Sequence, residues 1–221
     1  MTPDEMKQLV VTQAEILSPR MYEGVSSALA DADVRARGFR HTKYPHFRPM
    51  AARLAFREYL ETEGLPPQWQ VDGNPAAMGQ LYLSAPELGL KLRFLKERRK
   101  TYPSGVPVAG NNRARRDAWT QSAKQGALFT RSDLGSPQKP LSVHELLLLW
   151  DYKKKAALDE GFTLRIVRPL AAGVYGNAVP FDLDIALRPG GSIFTTMAFA
   201  GDSDDEDFFD TAQIDRAEIN E

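Results

Sequence analysis

A chain of 221 residues that is 43% hydrophobic has material for a substantial core, which excludes a chain disordered throughout. It has no cysteine, which removes disulfides, zinc–thiolate sites and cysteine nucleophiles together. Its formal net charge of −1 hides a basic middle and an acidic end, no run approaches the ~18 apolar residues of a membrane span, and "MTPDEMKQL" puts acids where a secretory leader needs basic residues; a cytoplasmic, prokaryote-like protein with no membrane partner is expected.

The first third has helical spacing. Asp4 and Glu5 open a helix with apolar positions Leu9, Val10, Ala14 and Leu17, and Ser18-Pro19 is expected to end it. A second helix is predicted over Met21 to Ala30 and a third over Phe47 to Glu63. In the third, Met50, Leu54, Phe56 and Leu60 form the apolar stripe, Arg48, Arg53 and Arg57 lie toward water, and "EGLPP" stops it.

From Gln68 the period changes to two. "WQVDGNP" reads as a short strand, and "GQLYLSAPELGLKLRFLKE" as a hairpin with Leu90, Leu92 and Phe94 on one face and Lys91 and Arg93 on the other. "TYPSGVPVAGNN" is a loop, and "RARRDAWTQSAKQ" behind it a short helix capped by Asn111 or Asn112. Val143 to Tyr152 and Phe162 to Pro169 form an antiparallel pair, followed by strands in "PFDLDIALRPGG" and "SIFTTMAFAG". The expected fold is α+β: N-terminal helices followed by a mainly antiparallel sheet. Residues 1–201 are expected to form one domain, helical over 1–65 and mainly β over 66–201, with 202–221 an acidic flexible tail.

The charge is concentrated. Residues 91–131 carry eleven Lys/Arg against Glu97 and Asp117, about +9, whereas residues 202–221 carry nine acids against Arg216, about −8. Lys91 and Arg93 project from a strand, Arg98, Arg99 and Lys100 follow, and Arg113, Arg115 and Arg116 open a helix behind a Gly-Asn-Asn turn, where free N–H groups favour phosphate. Tyr102 and Trp119 lie in the same stretch and are candidates to stack on bases. The expected function is a non-enzymatic nucleic-acid-binding protein that grips the phosphate backbone, with no cofactor and with an acidic tail that modulates binding. The tail's Phe208 and Phe209 also offer a docking motif for a protein partner, in an interaction or assembly role.

A rival reading starts from "HELLLLWDYKKK". Asp151 and Lys153 share a strand face, as the acid-x-lysine half of an Mg2+-dependent PD-(D/E)xK-type nuclease would, and Asp133 stands upstream as a first acid. This composition gives roughly one acid-x-lysine pair by chance, and Glu5-Met6-Lys7 is another, so the bland reading is a core strand whose exposed end pairs Asp151 with Arg165 or Arg168 across the hairpin. Asp182 and Asp184 in "FDLDIAL" have the acid-x-acid form of a two-metal strand but lack the Gly-Ser turn such a site needs, and read as the wet face of an edge strand. His144-Glu145 lacks the second histidine of a zinc-protease motif, and His41 and His46 have no third ligand, so no metal site is expected.

Overall fold

The computed structural model describes residues 2–40, 42–110, 113, 116, 117, 119, 143–153 and 161–196. Helix α1 runs unbroken over Pro3–Arg35. Thr2 caps it in a capping box, its hydroxyl accepting from the Glu5 N–H at 3.2 Å while its own N–H donates to the Glu5 carboxylate at 2.7 Å. The break expected at Ser18-Pro19 does not occur, so the first two predicted helices are one. Pro19 removes one helical hydrogen bond, a cost of ~3 kcal/mol. Beyond it, however, Met21, Val25, Ala28, Leu29 and Ala32 all bury, each large one contributing ~1.5–3 kcal/mol, and burial wins.

Helix α2, Phe47–Glu63, has the predicted bounds and ends at Gly64, whose φ of +76° suits glycine. Its buried stripe is Ala51, Ala52, Phe56 and Leu60; Phe56 and Leu60 are buried as predicted, whereas Met50 is only half-buried and Leu54 is exposed. The helices meet where Gly24 brings the α1 backbone against the rings of Tyr59 and Phe56.

Among the described residues seven strands follow: β1 Gln70–Asp72, β2 Tyr82–Ala85, β3 Leu90–Lys96, β4 His144–Tyr152, β5 Phe162–Pro169, β6 Phe181–Leu187 and β7 Ile193–Thr196. They make one sheet in chain order, a mixed sheet in which every pairing is antiparallel except β3 with β4. The fold is therefore α+β with an antiparallel-dominated sheet, as expected. A parallel pair needs a long crossover, and residues 97–143 supply it.

Side chains alternate across the sheet, and both faces of β4 are buried. Leu146, Leu148 and Trp150 join the core formed with α1 and α2. Leu147 and Leu149 join a second cluster with Val167, Val179 and three residues of the crossover, Val106, Ala109 and Trp119. The four consecutive leucines of "HELLLLW" are thus explained by a strand covered on both faces.

Candidate nucleic-acid interface

The basic segment begins where β3 ends. Four backbone hydrogen bonds of 2.8–3.0 Å close residues 98–105 into a compact loop: Arg98 N–H to Gly105, Thr101 and Tyr102 N–H to Arg98, and Gly105 N–H to Tyr102. Arg98, Arg99 and Lys100 stand exposed on it. Beneath them the Glu97 side chain is fully buried and accepts from Arg99 Nε at 2.5 Å and from Arg165 Nε at 2.6 Å. Arg165 uses the rest of its fork on the Asp184 carboxylate and, at 2.6 Å, on the Ser104 carbonyl. One guanidinium on β5 therefore ties together the end of β3, the basic loop and β6. Gly105, at φ +76°, lies so close that a Cβ would stand 2.9 Å from the Glu97 carboxylate.

The two rings expected to stack on bases are inside the protein. Tyr102 is buried, and Trp119 is 0% exposed in the second core cluster, so neither offers a face to a base in this structure. A different ring lies at the surface. Tyr175 is 76% exposed and meets Tyr102 edge to face, with centroids 6.0 Å apart. It stands 73 residues beyond Tyr102, in "AAGVYGNAVP", outside the basic stretch in sequence and brought to it only by the fold.

The remaining predicted cations are divided. On β3, Lys91 pairs with Asp72 at 2.9 Å and lies 4.4 Å from the Tyr82 ring centroid; Arg93, expected on the wet face, is only 7% exposed and also sits against Tyr82. Arg113, Arg116, Asp117 and Trp119 are helical, as expected, with Arg113 and Arg116 exposed and Arg113 lying 3.8 Å from Asp117. Arg115, Asn111 and Asn112 lie outside the described residues. The exposed set is thus Arg98, Arg99, Lys100, Arg113 and Arg116, on a crossover that Val106, Ala109 and Trp119 fasten to the sheet. Comparison with protein-family models, curated proteins and solved structures finds no match to this chain.

The acid-x-lysine pair has a structural partner that the sequence reading missed. Asp151 pairs not across the β4–β5 hairpin but with Lys96 of the parallel neighbour β3, at 3.6 Å, and its carboxylate also accepts the Tyr152 N–H. Arg165 and Arg168 are taken instead by Glu97 with Asp184 and by Asp182, the last at 3.4 Å. Asp182 and Asp184 are accordingly not the wet face of an edge strand: β6 is interior to the sheet, and both acids face arginines. Asp133 lies outside the described residues, as do His41, Phe208 and Phe209. Among the described residues no group of three His, Asp or Glu is placed to hold a metal.

Beside this strand end a cleft of about 450 Å³ opens between α1 and β5, lined by Tyr22, Leu29, Asp33, Tyr152 and Phe162. Its carboxylate is already engaged: Asp33 accepts the Tyr152 hydroxyl at 3.1 Å and lies 3.6 Å from Arg48. Burial, and then the charge of Asp33, push the Tyr152 hydroxyl well above the usual tyrosine range, so it stays protonated as the donor. No helix among the described residues is long and apolar enough to cross a membrane.

Proposed function

We propose that this chain is a non-enzymatic nucleic-acid-binding protein that takes the phosphate backbone on the loop of Arg98, Arg99 and Lys100, with Arg113 and Arg116 extending the basic surface. The observation that carries the reading is the bracing of that loop. Three consecutive exposed cations stand on a backbone closed by its own hydrogen bonds and fastened to the sheet by Glu97 and Arg165. Cations held in place lose less conformational freedom on binding than cations on a slack chain, so more of the Coulomb attraction remains as affinity. Such contacts position a backbone without reading its sequence. In this reading the acidic residues 202–221 compete with nucleic acid for the same surface, and the setting is cytoplasmic.

Cleavage by Asp151 and Lys153 gains no support from the described residues: Asp151 is paired with Lys96, and no group of three His, Asp or Glu among them is placed to hold a metal. The test of the proposal is a salt titration of binding to labelled DNA and RNA by fluorescence anisotropy. The logarithm of the affinity should fall linearly with the logarithm of salt concentration, and Arg98→Ala with Lys100→Ala should lower the slope by about 2, one per lost phosphate contact. Binding that ignores salt, or no binding at low salt, would overturn it.

A further inference from the structure

We infer that the nucleic acid taken by this surface is single-stranded, with a base stacking on Tyr175; the inference rests on the nucleic-acid reading above and names the ligand class of that same site. Val174 and Tyr175 are the two most exposed large apolar side chains among the described residues, at 66% and 76%. A lone exposed apolar residue is ordinary, but these two stand on a loop that is held in place. Asn177 N–H bonds back to the Val174 carbonyl at 3.1 Å, and Ala109 N–H bonds to the Ala172 carbonyl at 2.9 Å, joining this loop to the crossover. Gly173, at φ +74°, is packed so closely that a Cβ would lie 2.6 Å from Val179 and 3.0 Å from Val108.

The Tyr175 ring meets that of Tyr102 at an interplanar angle of 81°, and Tyr102 is the residue whose N–H closes the basic loop on Arg98 at 2.9 Å. A positioned, solvent-facing ring therefore borders the loop that carries three cations. A duplex keeps its bases stacked inside and would present phosphates and groove edges, but no base face, to such a surface. A single strand presents phosphates and unstacked bases together, and an aromatic ring beside a cationic track matches that pair of features without sequence preference.

The experiment uses the full chain and three labelled probes at low salt: an oligothymidylate, an oligouridylate and a duplex of equal length. Tyr175→Ala is expected to weaken binding of both single strands roughly 10-fold, within the range of one lost base stack, and to leave duplex binding unchanged. Tyr175→Phe, which keeps the ring, should bind like the parent. Because the residue faces water, the variants should melt with the parent, which thermal denaturation checks. Equal effects on single strand and duplex, or no effect on either, would overturn the inference while leaving the proposed function intact if binding still responds to salt and to Arg98→Ala with Lys100→Ala. Failure of all three probes to bind would overturn both. Loss of self-association in Tyr175→Ala, with oligonucleotide affinity unchanged, would assign the ring to a contact between protein copies and overturn the inference as well.

Discussion

Glu97 is the residue on which the basic loop depends. In the sequence it is one of only two acids among the cations of residues 91–131, and it reads as a stray counter-charge. In the fold it is the buried anchor shared by Arg99 and Arg165. Removing one member of a buried ion pair costs ~3–5 kcal/mol where the partner left behind is desolvated and unpaired; Arg99, by contrast, is exposed to water. Glu97→Gln should fall near the lower end, about 3 kcal/mol by urea denaturation, because the amide oxygen still accepts one bond and Arg165 keeps Asp184. His144 gives a prediction in pH. It is buried at the start of β4, and burial, then the charge of Arg168, lower its pKa from the usual 6.5. The neutral ring is favoured in the fold while the unfolded chain binds the proton more readily. Its contribution to stability is therefore complete above pH 6.5 and is lost as pH falls from there through the lower native value. Urea midpoints compared at about pH 7.5 and about pH 5.5 should differ more in the parent than in His144→Phe, whose side chain cannot titrate.

At the scale of elements, the bounds of α2 and the pairing of β4 with β5 were legible because apolar period and turn residues agreed there. Helix α1 carries two opposed signals, Pro19 and the apolar spacing, and the spacing wins. Its buried positions Met6, Val10, Ala14, Leu17, Met21, Val25, Ala28 and Ala32 keep three- and four-residue spacing through the proline, a longer signal than the one residue that opposes it. The same helix shows packing overruling propensity at Gly24. Alanine is better than glycine in a helix interior by ~1 kcal/mol. Here, however, a Cβ would stand 2.5 Å from the Tyr59 ring and 2.8 Å from that of Phe56, which is fully buried and cannot move aside. Gly24→Ala should lower stability by about 1–2 kcal/mol, overpacking outweighing the helical gain. A variant more stable than the parent in thermal melts would show that the α1–α2 contact is looser than the geometry implies.

For the molecule as a whole, the sequence misjudged the middle because no local pattern announces a parallel pairing. Residues 97–143 look like a loop and a short polar helix, yet they are the crossover between β3 and β4, and three of their apolar residues cover the sheet face that the helices leave open. That is also why Trp119 and Tyr102 are core residues, and why Arg113 and Arg116 stand exposed beside a buried Trp119. The charge asymmetry then has a consequence for the full chain. Residues 91–131 carry about +9 and residues 202–221 about −8, so on the proposed function the acidic stretch would act as an intramolecular competitor of nucleic acid, at an effective concentration set by the chain itself. Neutralising Asp204, Asp205, Glu206 and Asp207 to the corresponding amides, with the chain kept whole, removes about half of that opposing charge. Single-strand affinity should then rise at low salt and converge on the parent's at high salt, because screening weakens the tail's competition and the ligand's attraction alike. An affinity gap that persists undiminished at high salt would mean that the tail acts by some route other than charge.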